Sequence, residues 1–562
     1  MKTINLQNER QTLSHFRSRA ILTGDSIGVT IIALLGAVLG TCWFDIPDKG
    51  ISTLAWSLWT AIILLCTGKS PRSSGWRWFI AGMAVRGTAF HWVPGVVAEN
   101  FDIAWHLALL FFLLMIAFES LGWMILGRLS FLTFRARRIP IWILPSTVII
   151  FDHFWPRVFP WTMGHMLIGY GALIQIVDIS GTMGLTWLMT ATSCAVARIV
   201  LSPHAEFVKE GSESPLRSLS AQSFAVAIAA LLTTASIYGV VQNRNWQSPG
   251  PPERAVRVAA LQVDSSFVGA EKVLLNLSLK LDPRPDVIMW PESSLGYYSD
   301  RLDNFRSEDH VYALSREPHC SLPGLAITGT SLLACGVLYS DDAGLEGPYR
   351  NTALLIDHEQ NIIGKQTKRS LLPFGEYVPG QSWLPALRSL ANIDTIREPG
   401  ISSVPISTST GLQIGAMVCY DDINPAIARE TVAAGAEMLT VQVNAADYNN
   451  PIALRQHCML AMLRSAENRR FFIRCASTGV TCVIGPSGKI LAECPVQQEG
   501  RVTGTVYPIS AKTIYTRFGD WPVFLSLPSL LLWFILQRRG LQKRTQLASE
   551  NSVAPATKGA SF

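Results

Sequence analysis

Long apolar runs occupy the chain up to about residue 242, and one more lies near 521–537. A helix that crosses the hydrocarbon core of a bilayer needs about 20 predominantly apolar residues. By this measure the pattern predicts about eight membrane spans, at 21–44, 51–67, 78–98, 103–127, 139–152, 181–201, 219–241 and 521–537. The third contains Arg86 and His91 and the fifth is short, so both are candidates for irregular segments buried in a helical bundle.

A different pattern begins at residue 256, where the apolar runs become short and rich in β-forming residues. Each run is bounded by Gly, Pro, Asp or Asn, and the predicted strands are 256–263, 285–292, 325–333, 352–357, 412–419, 437–444 and 470–477. Two stretches, 423–435 and 453–469, have a helical pattern, and 485–493 is typical of a turn followed by an edge strand. Strands and helices in turn predict an α/β domain with helices on both sides of its sheets.

These patterns divide the chain into membrane-embedded parts and one large insert. The predicted segments are an N-terminal membrane domain of about seven spans (1–242), a linker (243–254), an α/β domain (255–510), a C-terminal transmembrane helix (511–540) and a disordered cytoplasmic tail (541–562). The start of the chain, Met1 to Gly40, is charged and then apolar, but Asp25 interrupts it and no small-x-small cleavage site follows. We therefore expect an uncleaved first helix rather than a signal peptide.

Charge gives this arrangement an orientation. Only 16% of the 562 residues are charged, against roughly 25% in an ordinary soluble domain. The short loops on one side carry little positive charge beyond Lys49 and Arg157, whereas the other side collects Lys2, Arg10, Arg17, Arg19, Lys69, Arg72, Arg77, Arg128, Arg135, Arg137, Arg138, Lys209, Arg217, Arg538, Arg539, Lys543 and Arg544. Cationic loops stay in the cytoplasm, so both termini are predicted inside and residues 242–520 outside. The net charge of +6 is modest, and no nucleic-acid partner is expected.

The ten cysteines show no CxxC pair and no His–Cys cluster at zinc spacing. Several lie in apolar runs, where a cysteine usually serves as a small buried hydrophobe. We expect neither a metal site nor an obligatory disulfide framework.

Three stretches of the insert place reactive side chains at strand ends or in adjoining loops. MWPESS ends an apolar strand at Glu292, and MVCYDD ends another at Cys419. Between them, KQTKRSLLPFGEYVP places Lys368 and Glu376 in a loop that Pro373 keeps from being helical. Loops at strand ends are where α/β domains usually carry their sites. These positions make glutamate, lysine and cysteine candidates for one site.

Together the three side chains suit nucleophilic chemistry. A thiol attacks as a thiolate, and the neighbouring carboxylates of Asp421 and Asp422 should raise the pKa of Cys419. A Lys368 ammonium would offset them, and Glu292 would act as general base and acid. Lys368 and the backbone N–H after Cys419 could also stabilise an oxyanion. Taken singly, each has a structural explanation, as a core cysteine, a solvated lysine or a turn glutamate, so the flanking residues decide.

The flanking stretches WPES, TKRSLLPFGEYVP and VCYDD resemble the carbon–nitrogen hydrolase (nitrilase) superfamily. Within it, YRNTALLIDHEQNIIGKQTKRSLLPFGEYVP is similar to the apolipoprotein N-acyltransferase family. Four further stretches are also similar, so the resemblance covers nearly the whole chain: FPWTMGHM, ALIQIVDISGTMGLTWL, RFGDWP and RSAENRRFFIRCASTGVTCVIGPSG. The resemblance implies a Glu-Lys-Cys triad on a four-layer αββα sandwich, carried by an eight-span bacterial inner-membrane protein with its nitrilase-like domain in the periplasm.

Carried over by position, the resemblance assigns a role to each candidate. It implies Glu292 as the base, Lys368 as the charge stabiliser and Cys419 as the nucleophile, with Glu376 as a supporting acid that orients the lysine. Tyr420 stands directly after the nucleophile, where many members also have tyrosine.

Three positions depart from the family pattern. Asp421, counted with the supporting residues, stands where glutamate is common, and Ser370 stands where a histidine is common. NAADYN (444–449) replaces NDAWFG, which leaves Tyr448 alone of an aromatic pair near the acyl site. The triad survives these changes, and they bear on the substrate.

The resemblance implies an acyl transfer that needs no cofactor. Cys419 would take a fatty acyl group from a phospholipid as a thioester and pass it to the N-terminal amine of diacylglyceryl-cysteine in an apolipoprotein. The expected partners are therefore the phospholipid donor, the diacylglyceryl lipoprotein acceptor and the membrane. Two alternatives stay open. One is a membrane-anchored amidase or nitrilase-type hydrolase, in which water takes the acyl group. The other is a catalytically inactive protein that binds lipid or lipoprotein.

Overall fold

A computed structural model of the protein describes residues 27–135, 139–201, 221–246, 250–263, 270–295, 297–299, 330–339, 348–359, 361–384, 396–448 and 450–552. Its N-terminal part is helical. The helices are α1 (Ile27–Thr41), α2 (Lys49–Cys66), α3 (Pro71–Ala89), α4 (Val93–Asn100), α5 (Trp105–Phe134), α6 (Ile143–Phe154), α7 (Val177–Val200) and α8 (Ala221–Asn245). Two short 3-10 helices, Met163–Leu167 and Leu173–Ile176, connect α6 to α7.

Each predicted span overlaps a helix within the described residues. Four segments are long and apolar enough to cross a membrane: Lys49–Cys66, Trp105–Phe134, Leu173–Val200 and Gln222–Asn245. Three shorter apolar helices coincide with further predicted spans: Ile27–Thr41, Ile143–Phe154 and Trp521–Leu536. The beginning of the first predicted span, 21–26, lies outside the described residues.

The predicted span at 78–98 is two helices, α3 and α4, rather than one. Pro94 lies in the first turn of α4. The backbone N–H groups of a first turn have no partner within the helix, so proline, which lacks an N–H, is tolerated there. Arg86 of α3 is buried, with its Nε 3.1 Å from Glu119 Oε2 of α5 and its guanidinium 4.9 Å from the centre of the Trp123 ring. A buried charge needs such partners. The irregularity expected at this span is therefore a break between α3 and α4. The charge of Arg86, close to this break, is paired with Glu119.

The insert folds into two β-sheets with flanking helices. The strands are β1 (Val256–Gln262), β2 (Val287–Met289), β3 (Tyr297–Ser299), β4 (Ser331–Tyr339), β5 (Tyr349–Ile356), β6 (Ile362–Thr367), β7 (Ile406–Ser407), β8 (Gln413–Val418), β9 (Met438–Asn444), β10 (Phe472–Ser477), β11 (Cys482–Ile484), β12 (Ile490–Glu493) and β13 (Gly500–Val506). One sheet has the order β13-β1-β2-β4-β5-β6, with β3 on β4, and the other has the order β12-β11-β10-β9-β8-β7. The helices are α9 (Ala270–Leu279), α10 (Pro425–Ala433) and α11 (Pro451–Asn468).

The sheets and helices form layers, because side chains that alternate along a strand pack on both of its faces. Val258 and Ala260 of β1 belong to a core shared with the second sheet, whereas Ala259 and Leu261 pack with α9 on the opposite face. Successive side chains of a strand point to opposite faces, so β1 is covered on both. On the far side of the second sheet, α10 contacts β8 and α11 contacts β10. The result is the nitrilase-like αββα sandwich that the resemblance implied.

The seven predicted strands coincide with strands of the structure, although the beginning of 325–333 lies outside the described residues. The prediction of an edge strand within 485–493 is confirmed by β12, which ends the second sheet. The sequence pattern missed β3, β6, β7, β11 and β13. Of these, β7 has only two residues, and in β6 and β13 exposed positions alternate with less exposed ones along most of the strand. These three strands contain no long apolar run, and β11, although apolar, has only three residues.

The end of the chain differs from the prediction. After the short helix α12 (Ile514–Phe518), α13 extends from Trp521 to Ser552. The predicted disorder from residue 541 is therefore wrong for 541–552. Leu, Gln, Lys, Arg and Ala are common in this stretch and favour helix, and neither Pro nor Gly occurs in it. Residues 553–562 lie outside the described residues.

Helix α11 joins the α/β domain to the bundle. Arg469, at the C-terminal end of α11, has its Nη2 2.7 Å from Asp178 Oδ2 of α7. Trp92, which precedes α4, donates from its indole nitrogen to Gln456 Oε1 of α11 at 3.1 Å. All four residues are buried. These contacts fix the helix that covers the second sheet against the membrane helices.

Candidate active site

Glu292, Lys368 and Cys419 come together from strands of both sheets. Glu292 follows β2, Lys368 follows β6, and Cys419 follows β8 in the other sheet. The three residues are only 7%, 2% and 7% exposed. Lys368 Nζ lies 3.8 Å from Glu292 Oε1, and both glutamate and lysine are close enough to the Cys419 thiol to shift its pKa. Three residues far apart in sequence therefore form one buried cluster.

Two donors that the sequence prediction did not include hold the Glu292 carboxylate. Asn351 Nδ2 of β5 donates to Oε1 at 2.8 Å, and the backbone N–H of Asn444 donates to Oε2 at 2.9 Å. The backbone carbonyl of Asn351 also accepts from the backbone N–H of Lys368 at 2.8 Å. Both carboxylate oxygens therefore have fixed positions. In the sequence, the one feature that could have indicated a role for Asn351 was its polar side chain at the start of the largely apolar run YRNTALLID.

Glu376 lies against the lysine on the other side. Its Oε1 accepts from Lys368 Nζ at 2.8 Å and from Arg397 Nη1 at 2.6 Å, and its Oε2 accepts from the Leu372 N–H at 2.8 Å. Burial alone would raise the pKa of Glu376, but the two cations hold it below its ordinary value. Burial likewise acts to lower the pKa of Lys368, but the thiol and carboxylates around it raise that pKa well above its ordinary value. The pair is therefore ionised at neutral pH.

Cys419 has a left-handed backbone conformation, with φ of 49°. A residue other than glycine adopts it at a cost of about 1–3 kcal/mol, so the surrounding structure must support it. Asp421 supplies support from both sides. Its Oδ1 accepts from the backbone N–H groups of Arg369 at 2.9 Å and Ser370 at 2.6 Å, and its Oδ2 accepts from the Val418 N–H at 3.0 Å. Asp421 thus ties the cysteine segment to the loop that carries the lysine.

Burial is the main reason that the pKa of Cys419 lies well above its ordinary value. Glu292 raises the pKa further, Lys368 lowers it, and Glu376 raises it. The sequence interpretation assigned the raising effect to the two aspartates of the YDD run, but the acids that act most strongly are these two glutamates. The expected lowering by the lysine is present and does not outweigh burial. At neutral pH Cys419 is therefore a thiol rather than a thiolate.

The second aspartate, Asp422, belongs to a separate buried cluster. His457 Nε2 of α11 lies 2.6 Å from its Oδ1, and Arg474 of β10 binds its Oδ2. Burial acts to raise the pKa of Asp422, but His457 and Arg474 hold it below its ordinary value. The cluster anchors the 3-10 helix Cys419–Ile423 to both α11 and β10. Sequence reasoning missed this anchor because its members lie far apart in sequence and carry no motif.

Two tyrosines connect the cluster to the bundle. The Tyr420 hydroxyl donates to the backbone carbonyl of Val158, in the segment after α6. Tyr448 packs edge-on against Trp92, with ring centroids 6.3 Å apart. Burial is the main reason that the pKa of Tyr448 lies well above its ordinary value. The tyrosine that remains in NAADYN thus has an aromatic neighbour from the membrane helices.

The geometry suits attack on a carbonyl carbon. A carboxylate with two fixed oxygens can accept the thiol proton, and a buried ammonium can stabilise negative charge that develops on a carbonyl oxygen. Exclusion of water strengthens both effects. The acceptor of the acyl group is not defined by these three side chains alone.

Comparison with known proteins shows which families the chain resembles. Residues 258–513 match the carbon–nitrogen hydrolase family, and residues 37–195 match the apolipoprotein N-acyltransferase N-terminal domain. The apolipoprotein N-acyltransferase of Geobacter metallireducens is 27% identical over 509 residues, which cover 87% of this chain and 91% of that protein. The protein of the same name from Pseudomonas putida is 26% identical over 495 residues, covering 84% of this chain and 89% of its own length. Among solved structures, a nitrilase-superfamily amidase from Nesterenkonia AN1 is 17% identical, with a TM-score of 0.34 over 48% of this chain and 96% of its own.

Proposed function

Because this chain belongs to the apolipoprotein N-acyltransferase family of the carbon–nitrogen hydrolase superfamily, we propose that it moves a fatty acyl group from a phospholipid to an apolipoprotein. The acceptor is the N-terminal amine of diacylglyceryl-cysteine. The observation that carries the proposal is the buried cluster of Glu292, Lys368 and Cys419 in a chain that also matches the acyltransferase N-terminal domain. In this proposal the three residues are base, charge stabiliser and nucleophile.

In the first half-reaction, Cys419 Sγ attacks the ester carbonyl carbon of the phospholipid. Glu292 accepts the thiol proton as the S–C bond forms, because the resting group is a thiol and not a thiolate. The Lys368 ammonium and the backbone N–H of Tyr420 stabilise the oxyanion. When the intermediate collapses, the C–O bond to the glycerol breaks and Glu292 returns the proton to the leaving oxygen. A lysophospholipid departs, and the acyl group remains on sulfur as a thioester.

In the second half-reaction, the neutral amine of the lipoprotein attacks the thioester carbonyl carbon. Glu292 accepts a proton from the nitrogen as the N–C bond forms, and Lys368 again stabilises the oxyanion. The C–S bond then breaks, and the proton passes from Glu292 to the sulfur of Cys419. An amide is formed and the thiol is regenerated, so each step balances without a cofactor.

A hydrolase would use the same cluster with water in place of the amine. It is not favoured, because the relatives named as acyltransferases match this chain over both the bundle and the α/β domain. A catalytically inactive binding protein has no need for a buried ammonium between two carboxylates, which costs desolvation.

Asn351→Leu should slow acylation of Cys419 by about 10- to 100-fold. The change removes a hydrogen bond to the Glu292 carboxylate, and a bond to a charged group contributes about 1.5–3 kcal/mol. The rate of acyl-enzyme formation in a single turnover measures this directly. Asn361→Leu, in the turn after β5 and bonded to Asp357, is the matched control and should keep the wild-type rate. Equal rates for wild type and Asn351→Leu would show that Glu292 needs no such anchor.

The proposal places the chain in the bacterial inner membrane, with the α/β domain on the periplasmic side. Support comes from the cationic residues that collect in the loops of one side, which stays in the cytoplasm. The phospholipid and the diacylglyceryl lipoprotein are both held in the membrane by their lipid chains. They would therefore reach the site by lateral diffusion to the helical bundle.

A cysteine-labelling experiment tests this orientation. Glu359→Cys, at an exposed turn of the α/β domain, should react with a membrane-impermeant maleimide once the outer membrane is permeabilised. Ser212→Cys, in the 202–217 segment outside the described residues, should react only after the inner membrane is disrupted. Reaction of both on the same side would contradict the proposed orientation.

Mass spectrometry of lipoprotein N-termini tests the proposed function in cells. With the gene present, the N-terminal cysteines should carry an amide-linked acyl group in addition to the diacylglyceryl group. Deletion of the gene, or its replacement by the Cys419→Ala form, should leave the amine free. Free amines in cells that express the wild-type chain as their one N-acyltransferase would overturn the proposal.

A further inference from the structure

Two cysteines outside the proposed reaction lie in direct contact. Cys458 of α11 and Cys482 of β11 are both 0% exposed, and their sulfur atoms are 3.8 Å apart. The proposed reaction uses neither thiol. The two cysteines are 24 residues apart and belong to no sequence motif, so their contact could be recognised only from the structure.

Their surroundings connect this pair to the candidate active site. Cys458 directly follows His457, and Cys482 is the cross-strand partner of Arg474 in β10. His457 and Arg474 are the two residues that hold Asp422. A bond between the sulfurs would therefore join α11, which anchors the 3-10 helix of Cys419, to β11, the strand paired with the other anchor β10.

We propose that Cys458 and Cys482 form a structural disulfide that locks α11 onto β11 behind the nucleophile segment. The proposal rests on the outward orientation of the α/β domain given under the proposed function, because disulfides form in the oxidising periplasm and are rare in the cytosol. It adds a covalent modification that acyl transfer itself does not require.

The chemistry is thiol–disulfide exchange with a protein disulfide donor of the periplasm. The Cys458 thiolate attacks one sulfur of the donor disulfide, which breaks and leaves a mixed disulfide. The Cys482 thiolate then attacks the Cys458 sulfur, so the new S–S bond forms and the donor departs as a dithiol. The two thiols lose two electrons and two protons in total, and the donor gains both. Because the pair is fully buried in the fold, the exchange takes place while the domain is folding.

Other described cysteines are less suited to this reaction. Cys475 is committed to the backbone carbonyls of Leu261 and Met289, at 3.1 and 3.2 Å. By contrast, the sulfur atoms of Cys458 and Cys482 face each other at 3.8 Å in the fold. Among the described cysteines, this is the one contact between two sulfur atoms.

The decisive experiment maps thiols on the full-length wild-type protein. Cells are lysed into denaturant with an alkylating reagent, so that free thiols are blocked at once, and the purified chain is digested without reductant. Mass spectrometry should find the peptides of Cys458 and Cys482 joined, and reductant should release both as new alkylation sites. Detection of both thiols alkylated before reduction would overturn the proposal. Acyl transfer by that same preparation would then show that the proposed function stands without the disulfide.

Matched variants add a second readout. Reductant should lower the unfolding temperature of the wild-type protein by several degrees, because reduction frees the loop between the two cysteines. The Cys458→Ser/Cys482→Ser double variant should show no such shift, and Cys475→Ser should behave as wild type. A reductant-sensitive unfolding temperature that persists in the double variant would place the labile bond elsewhere and contradict the assignment.

Discussion

Replacement of Cys419 by alanine will abolish formation of the acyl-enzyme and lower acyl transfer by at least ~1,000-fold, because loss of a nucleophile removes the covalent route altogether. Lys368 cannot replace it, since its pKa, which burial alone would lower, is held well above the ordinary value by the surrounding thiol and carboxylates. The measurement is intact-protein mass spectrometry after incubation with phospholipid. The wild-type protein should gain the mass of one acyl group, and the Cys419→Ala variant should not. Expression and membrane insertion should be unchanged, since the substitution only shortens one buried side chain.

The control is another fully buried cysteine of the same domain. Cys475 bonds to the backbone carbonyls of Leu261 and Met289 and is not among the groups that shift the pKa of Cys419. Cys475→Ala should therefore keep most of the wild-type acyl transfer. An equal loss of activity in both variants would mean that the loss reflects folding rather than chemistry.

The second large effect is a pair of opposite changes in the alkylation rate of Cys419. Lys368→Met removes the cation that lowers the thiol pKa, so at neutral pH the thiolate fraction and the rate should fall about tenfold or more. Glu292→Gln removes the acid that raises this pKa, so alkylation should be faster even though acyl transfer is blocked. Because the thiol pKa lies above neutral pH, the rate should rise with pH in wild type. The profile should move to higher pH in Lys368→Met and to lower pH in Glu292→Gln.

Two substitutions calibrate this assay. Lys368→Arg should rescue only partly, since a planar guanidinium does not replace a compact ammonium between two carboxylates. Arg369→Met removes the neighbouring cation, which binds Glu430 rather than the thiol, and should leave the rate unchanged. If Lys368→Met and Glu292→Gln slow alkylation alike, the charges do not act on Cys419 as described.

The sequence predicted the members of the cluster better than their electrostatics. Glu292, Lys368 and Cys419 stand at the ends of apolar strands within distinctive flanking stretches, so their convergence could be anticipated from strand order and resemblance. The direction in which Asp421 acts could not be anticipated. Adjacent carboxylates suggest repulsion of a thiolate, but this carboxylate accepts three backbone N–H bonds and serves to hold two loops together.

Contacts between distant segments were beyond the reach of sequence patterns. Arg397 on Glu376, His457 on Asp422 and Trp92 on Tyr448 each join residues that lie in different elements. Periodicity describes one element at a time, and polar residues in loops give no indication of their partners. The extension of α13 beyond residue 540 was missed for a related reason, because a polar stretch can be helical when its residues favour helix.

The central claim is that Cys419 carries an acyl group from a phospholipid to a lipoprotein amine. Purified protein incubated with phospholipid alone should accumulate a thioester, located by mass spectrometry on the peptide that contains Cys419. Addition of a diacylglyceryl lipopeptide with a free N-terminal amine should then discharge it, with one N-acylated lipopeptide formed per thioester lost. An N-acetylated form of the same lipopeptide should leave the thioester in place. A Cys419 peptide that never carries the acyl mass, or a thioester that releases free fatty acid at the same rate with and without the amine, would contradict the account.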